Sequence, residues 1–313
     1  MNFWVGVTDN DWFDFLSKKQ PDEINFWKPS GKGMFKVLSP GGLFLFKLKY
    51  PLNYIVGGGY FVRHLNIPLS MAWEAFGDKN GVSDLETLKL KIIKYRGEHE
   101  PNPVIGCSIL STPFFFKREQ WIPIPSDWSS NIVSGKTYDN KEHTGATLLA
   151  AVQERILFNQ SSMLHHQQYP YVDRVAEEEA RYGSEYLTKA RLGQGTFRIL
   201  VTEAYSRKCS ITGERTLPVL EASHIKPFSL SGPNAIDNGL LLRSDLHKLF
   251  DLGYLTITKD YHVEVSKRIR VEYENGREYY ALHGQQLKIL PPNLIERPSV
   301  KYIEWHNQNI YVP

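Results

Sequence analysis

Cysteine is scarce in this sequence: Cys107 and Cys209 are its two cysteines in 313 residues. So few thiols exclude a disulfide framework and any zinc site built on paired Cys-x-x-Cys knuckles. Long apolar runs are also missing. Segments such as 43–46 and 114–116 are strand-sized, whereas a membrane-spanning helix needs about 18 consecutive apolar residues. The amino terminus has no basic start followed by an apolar stretch, so we expect no secretory signal, no membrane association and a reduced, cytoplasmic location.

An excess of charge of one sign is missing as well, since the formal net charge is only +3. This charge is not that of a non-specific polyanion binder, although it permits nucleic-acid binding through local basic patches. Apolar residues make up 42% and charged residues 23%, close to an average globular protein, which excludes disorder as a description of the whole chain. The length predicts about two domains.

Composition divides the chain into three regions. Residues 1–145 alternate short apolar and β-branched runs with turn signals, and residues 146–192 are richer in alanine, leucine and polar side chains. Residues 193–313 return to mixed strand and helix patterns. We therefore predict an α+β protein. A small β-barrel or sandwich with peripheral helices forms the first region, a helical connector the second, and a further folded domain the third.

Three segments of the first region carry more specific predictions. Residues 54–62 read as a strand that the triple glycine 57–59 interrupts. Residues 85–95 suit a strand and an amphipathic helix equally well. Residues 104–116 are aromatic and β-branched, which predicts a pair of strands.

The strongest signals for chemistry are the strings LEASHIKP at 220–227 and NGLLLRSDLHKLFDLGYLTI at 238–257. Their pattern predicts a strand that ends at a histidine, His224, then a loop closed by Asn-Gly, a second strand and a short helix. His247 and Asp251 lie four residues apart on that helix, so both side chains occupy one face and can offer two ligands to one metal ion. An imidazole beside a bound metal suits phosphodiester hydrolysis, because the imidazole takes a proton from water and the metal stabilises the pentavalent phosphate.

These strings resemble the HNH nuclease family, which has the ββα-metal fold. Its bacterial branch reads roughly Leu-Glu-Ala-Ala-His-Ile-x-Pro, then Asn-Gly, then a His-x-x-Phe-Asp helix. The segment FRILVTEAYSRKCSITG at 197–213 resembles the helix and turn that precede this motif, so the resemblance spans about residues 193–270. It implies that the third region is an endonuclease that hydrolyses DNA with a divalent metal.

The resemblance also implies roles for single residues. His224 matches the general base, Asn238 the asparagine that ties down the loop between the strands, and His247 the metal-binding histidine of the helix. Asp251 matches a second ligand, although an aspartate before Leu-Gly could equally end the helix. Asn238 could likewise be an ordinary turn residue before glycine.

One position departs from many relatives. They carry Asp or His as a ligand directly before the base, whereas this sequence has Ser223, a weak ligand. Glu221 lies two residues earlier and, by alternation along a strand, on the same face. It is therefore the best remaining carboxylate for the metal. A mixed set of histidine and carboxylate ligands favours Mg²⁺ or Mn²⁺.

The first region is rich in aromatic residues, most of which we expect to form its core. The segments 3–16, 24–33 and 41–61 are weakly similar to the PUA-like superfamily, which includes the EVE and SRA domains that recognise modified bases in DNA. This similarity implies a PUA-like β-barrel that stacks an extruded base between aromatic rings. The predicted cage residues are Trp27, Tyr60 and Trp73, and the predicted phosphate contacts are Lys28, Lys32 and Arg63.

The leading hypothesis is a modification-dependent DNA restriction endonuclease. Its first domain finds 5-methylcytosine or 5-hydroxymethylcytosine in double-stranded DNA by base flipping, and its HNH domain cuts nearby. Since one HNH site cuts one strand, a double-strand break needs two protomers, which predicts a homodimer. A second hypothesis keeps the nuclease but makes the first domain a sensor for a small ligand in a defence effector. A third is a DNA-binding protein with an inactive nuclease fold.

Overall fold

The computed structural model describes residues 1–163 and 192–313, and most of the predicted connector lies outside the described residues. The chain divides into two compact units, Met1–Ala190 and Arg191–Pro313. Both contain helices and strands, so the predicted α+β class is correct. Among the described residues, no helix is both long enough and apolar enough to cross a membrane. The exact domain boundaries stay predictions.

A single mixed sheet forms the centre of the first unit. Its strands are β1 (Asn2–Thr8), β2 (Glu23–Lys28), β3 (Leu43–Leu48), β4 (Tyr54–Pro68), β5 (Val104–Phe115), β6 (Ile122–Pro123) and β7 (Gly135–Asp139). Six strands follow the order β2-β5-β4-β3-β1-β7, and β6 pairs with β4. β1 runs parallel to β3, and the other pairs are antiparallel. The helices of this unit are α1 (Asn10–Lys19), α2 (Leu69–Phe76), α3 (Leu85–Arg96) and α4 (His143–Met163).

Alternation along β3 separates two hydrophobic cores, one on each face of the sheet. Phe44 and Phe46 pack with Trp12 of α1 in one core. Leu45 packs with Leu148 of α4 in the other. Because both faces are covered, the whole of β3 is buried, and its first four residues form a continuous apolar run rather than an alternating one.

The sheet is open rather than closed. Its edge strands β2 and β7 form no pair with each other in the part of the chain that the structure describes, whereas a barrel requires the first and last strands to pair. The PUA-like barrel predicted for residues 1–145 is therefore not confirmed. Instead, α1 covers one face of the sheet and α4 covers the other.

The structure of the first unit tests the three local predictions made for residues 54–62, 85–95 and 104–116. β4 continues through the triple glycine as one strand, although its pairing with β5 shifts register between Gly58 and Tyr60. The sheet leaves no room for a side chain there, since a Cβ on Gly58 would lie 2.6 Å from the carbonyl oxygen of Phe44. Residues 85–95 form a helix, α3, whose N-terminus is capped by Asp84. The strand pair predicted for 104–116 is wrong, since this segment forms the single long strand β5.

The second unit is built around two short antiparallel strand pairs and five helices among its described residues. The strands are β8 (Leu220–His224), β9 (Gly239–Arg243), β10 (Leu255–Ile257) and β11 (Val263–Val265). The helices are α5 (Gln194–Ala204), α6 (Ser244–Asp251), α7 (Arg268–Tyr273), α8 (Arg277–Tyr280) and α9 (Val300–Asn309). β8 pairs with β9, and β10 with β11. The strand–strand–helix order predicted from 220–251 is therefore present as β8, β9 and α6.

Candidate active site

β8 and β9 place the predicted base at the end of a strand. His224 is the last residue of β8 and pairs with Gly239, the first residue of β9. A Cβ at position 239 would lie 2.4 Å from a methyl group of Val201 in α5. Glycine therefore lets the pair approach α5 closely at this point.

Asn238 clamps the loop between the two strands. It is fully buried. Its Oδ1 accepts a hydrogen bond from the backbone N–H of Lys226 at 2.9 Å, and its Nδ2 donates to the carbonyls of Lys226 at 3.0 Å and Pro233 at 2.9 Å. Three hydrogen bonds from one buried side chain hold both ends of the loop that follows His224. This is more than a turn residue needs, and it agrees with the loop-anchoring role.

His224 is held on two sides. Its ring stacks on Phe197 of α5 with 3.8 Å between the ring centroids and 11° between the planes. Its Nε2 lies 2.8 Å from Oδ1 of Asn234. Burial lowers the pKa of His224 below its ordinary value, although Asn234 and the negative charge of Asp251 oppose this effect. A lowered pKa keeps the imidazole neutral near pH 7 and able to accept a proton.

The predicted metal ligands form a separate group beside it. Nδ1 of His247 lies 2.6 Å from Oε2 of Glu221, and Nε2 of His247 lies 3.3 Å from Oδ2 of Asp251. Asp251 is half exposed, yet local desolvation raises its pKa. The negative charge of Glu221 also raises this pKa, and the charge of His247 lowers it. The two carboxylates and the imidazole thus converge from β8 and α6.

This donor set fits a divalent metal in chemistry. One imidazole and two carboxylates are the ligands that Mg²⁺ or Mn²⁺ accepts, with waters completing the shell. In the described residues, however, no three or more His, Cys, Asp or Glu side chains are arranged as a ready metal cage. Each nitrogen of His247 faces a carboxylate. Ser223 is fully buried, and its hydroxyl faces the backbone carbonyl of His224 at 3.5 Å.

A second feature is a cavity of about 380 Å³ in the first unit. Trp27 and Lys28, two of the predicted recognition residues, line it together with Trp4, Phe35 and His64. The rings of Trp4 and Phe35 meet edge to face with centroids 5.3 Å apart. Aromatic side chains thus form much of the wall.

The other predicted recognition residues lie elsewhere. Tyr60 packs near Phe114 in the core on the α4 side, and Trp73 lies on α2. Lys32 lines a shallower cavity that shares Tyr95 with the first, and Arg63 of β4 lines neither of these two cavities. The structure therefore does not bring Trp27, Tyr60 and Trp73 together as one cage.

The sequence did not predict the polar residues of this cavity. Asp9 binds both Lys49, through a short ion pair, and the hydroxyl of Tyr95, at 2.7 Å. Burial alone would raise the pKa of Asp9, but the hydrogen bonds from Lys49 and Tyr95 more than offset burial and lower it. Because these residues come from three separate segments, their convergence has no signature in the sequence. The one available hint was the acidic residue directly after an apolar strand.

His64 is the second polar group in this wall. It is 4% exposed, and its Nδ1 lies 2.9 Å from Oγ of Ser108. Its Nε2 has no hydrogen-bond partner within the described residues. Burial lowers the pKa of His64 to about 4, and the charge of Lys28 adds to the effect. The side chain is therefore a neutral imidazole at the edge of an aromatic cavity.

Comparison with known proteins identifies one of the two units. Residues 209–258 match the HNH endonuclease family, and this segment contains β8, β9 and α6. The chain therefore contains an HNH endonuclease domain and is a nuclease. No curated protein matches the chain. A solved structure titled "Modification dependent TagI restriction endonuclease" aligns at 14% sequence identity over 92% of this chain and 75% of that chain, with a TM-score of 0.28. A TM-score this low does not establish a common fold.

Proposed function

We propose that this protein is a modification-dependent DNA restriction endonuclease. Its second unit hydrolyses the phosphodiester, and its first unit recognises a modified cytosine turned out of the double helix. The observation that carries the proposal is the pairing, in one chain, of the His224 site with an aromatic cavity of about 380 Å³ that holds its own charged pair.

In the proposed reaction, His224 accepts a proton from the attacking water, since its imidazole is neutral near pH 7. Asn238 keeps the imidazole in place by holding the loop that follows it. Glu221, His247 and Asp251 would hold Mg²⁺ or Mn²⁺. When bound, such an ion stabilises the charge of the pentavalent phosphate and of the leaving oxygen. Both DNA strands are cut by a homodimer.

The recognition step uses the cavity of the first unit. Trp4, Trp27 and Phe35 offer rings on which a base can stack, which is worth about 1–3 kcal/mol per base. Asp9 stays ionised and can only accept hydrogen bonds. Cytosine presents an exocyclic amino group as a donor, so the Asp9 carboxylate is a suitable partner for it. Lys28, at the rim of the same wall, is a candidate phosphate contact.

The direct test digests matched DNA that is unmodified or carries 5-methylcytosine, 5-hydroxymethylcytosine or glucosylated hydroxymethylcytosine, with Mg²⁺ and with Mn²⁺. We expect cleavage of at least one modified substrate and little cleavage of unmodified DNA. Equal cleavage of all four would contradict modification dependence. Cleavage only after a small molecule is added would favour the ligand-sensor alternative, and no cleavage with any divalent metal would favour the inactive DNA-binding alternative.

A pair of tryptophan variants tests the recognition site. Trp27→Ala removes a wall of the cavity, so it should abolish the preference for modified DNA. Trp73→Ala is the control, since Trp73 does not line the cavity. Equal loss of preference in both variants, or in neither, would contradict the placement of the base in this cavity.

A further inference from the structure

Asn234 is the hydrogen-bond partner of the proposed base, and its orientation is fixed by the backbone. Its Nδ2 donates to the carbonyl oxygen of Leu192 at 2.6 Å. A carbonyl oxygen can only accept, so the amide group of Asn234 must present Nδ2 to Leu192 and Oδ1 to His224. Oδ1 also can only accept, and it lies 2.8 Å from Nε2 of His224. Nε2 must therefore carry the hydrogen.

We infer that Asn234 is a positioning residue that holds His224 in the Nε2–H tautomer and so makes Nδ1 the atom that takes the proton from water. This inference rests on the proposed role of His224 as the general base. A neutral imidazole has one donor and one acceptor nitrogen, and the bond made by one nitrogen decides which of them is free. Without such a partner the two tautomers would both be populated.

The neighbouring contacts do not perform this task. Stacking on Phe197 fixes the plane of the ring, but a stacked ring can still flip by a half-turn about its Cβ–Cγ bond, and stacking does not distinguish the tautomers. The hydrogen bond from His224 to Asn234 supplies both missing constraints. It also persists after proton transfer, when the imidazolium donates from Nε2 to the same oxygen and the bond becomes charge-assisted.

Asn234 is itself held by the loop-anchoring residue. Nδ2 of Asn238 donates to the carbonyl of Pro233 at 2.9 Å, directly before Asn234 in the chain. The anchoring asparagine therefore reaches the base through the loop, and Asn234 makes the final contact. A change at position 234 should disturb His224 while the three hydrogen bonds of Asn238 remain.

The kinetic test uses the full chain and metal-dependent nicking of DNA that the parent cuts. Asn234→Ala should lower kcat about 10- to 100-fold, the loss known for partners that orient a metal-binding imidazole, with little change in KM or thermal stability. Asn275→Ala is the control, because Asn275 is an exposed asparagine on the loop between α7 and α8. Unchanged kcat in Asn234→Ala, or a loss explained by unfolding, would overturn the inference.

Asn234→Asp separates positioning from a merely structural role. The carboxylate restores an acceptor for Nε2–H but cannot donate to the Leu192 carbonyl as Nδ2 does, so activity should recover only in part. The new carboxylate also places a negative charge beside His224. Among the existing charges, Asp251 raises and His247 lowers the pKa of the imidazole. The acid limb of the pH–rate profile should therefore move to higher pH. An unshifted limb in an active Asn234→Asp variant would contradict the contact.

A spectroscopic test does not depend on activity. Two-bond ¹H–¹⁵N spectra of the full chain with labelled histidine distinguish the tautomers, and His224→Ala identifies the signals of His224. We expect the Nε2–H pattern in the parent and a mixture in Asn234→Ala. An Nδ1–H pattern in the parent would overturn the inference. If no DNA is cut under any condition, the proposed function fails while this spectrum still decides the tautomer.

Discussion

Two histidines of the nuclease unit differ in their partners, and this difference separates their proposed roles. His224 is partly buried, stacks on Phe197 and meets a neutral amide. His247 lies between the carboxylates of Glu221 and Asp251. A partly buried, uncharged environment keeps an imidazole neutral and able to act as a base, and a carboxylate environment favours a site for a cation. The side-chain type alone would not distinguish the two.

His224→Ala should lower the cleavage rate by about 10²–10⁴-fold, the usual loss when a general base is removed. DNA binding and thermal unfolding should stay close to those of the parent. His262→Ala, a substitution elsewhere in the same unit, is the control. The measurement is single-turnover cleavage at saturating metal. Near-parental cleavage by His224→Ala would show that His224 is not the base.

His247→Ala should change the response to metal as well as the rate, because it removes a ligand. The Mn²⁺ concentration for half-maximal activity should rise, and excess Mn²⁺ should restore part of the cleavage. Asp260→Asn, at an exposed turn, serves as the control. Metal titration curves that coincide for parent and His247→Ala would exclude His247 as a ligand.

At the scale of helices and strands, glycine lets neighbouring backbones approach each other closely. In the first unit, the triple glycine lies in β4 between β3 and β5. A Cβ on Gly58 would meet the Phe44 carbonyl at 2.6 Å and the Phe114 ring at 2.7 Å, whereas a Cβ on Gly59 would meet its nearest neighbour at 3.2 Å. Adjacent glycines thus differ in the space around them.

Gly58→Ala should therefore destabilise the first unit by about 1–3 kcal/mol, the typical cost of overpacking. Gly59→Ala should cost less. Denaturant unfolding followed by intrinsic fluorescence measures both free energies of unfolding. If the two variants unfold at the same denaturant concentration, the close approach of β3 and β5 to Gly58 does not limit stability.

Over the whole molecule, each unit buries a neutral histidine. His306 of α9 is 1% exposed and stacks on Phe250, and its Nε2 donates to the Phe250 carbonyl at 3.1 Å. Burial lowers the pKa of His306 to about 4, and that of His64 in the first unit also falls to about 4. The native state therefore binds these protons less readily than the unfolded state does.

Stability should fall as the pH drops. Above the pKa of about 6.5 that histidine has in the unfolded chain, both histidines are neutral in the folded and the unfolded state, so they cost no stability. Between that pH and about 4 the unfolded state takes up the proton first, so each histidine costs up to about 1.4 kcal/mol per pH unit. Denaturant midpoints between pH 7.5 and 4.5 measure the trend, and a smaller slope in His306→Gln is expected. Identical slopes in parent and variant would contradict the prediction.

The proposed function assigns recognition to the first unit and cleavage to the second. α4 begins at His143 and contributes Leu148 and Val152 to the core of the first unit. A fragment of residues 1–163 should therefore fold, whereas the predicted domain 1–145 would leave that core uncovered. The longer fragment should bind modified duplex DNA about tenfold to a hundredfold more tightly than unmodified DNA and cut neither. Equal affinities in a titration would remove the basis for modification-dependent recognition.

The sequence by itself already indicated a nuclease site in the second unit. His224, Asn238 and His247 lie within a segment of fewer than thirty residues whose strand, loop and helix follow from local patterns, so their order already predicts a nuclease site. Glu221 could be predicted as a candidate ligand for the same reason, because alternation along a strand is a local rule. The family match over 209–258 agrees with this interpretation.

Tertiary structure decided what depends on distant segments. Asn234 contacts His224 because Leu192 fixes its amide, and no periodicity marks that contact. The aromatic cavity joins Asp9, Lys49 and Tyr95 from three separate segments. Tyr60 and Trp73 were predicted beside Trp27 from residue type alone, but strand register and helix packing place them elsewhere. Local patterns specify which face of an element is apolar, whereas the meeting of separate elements depends on how the whole unit packs.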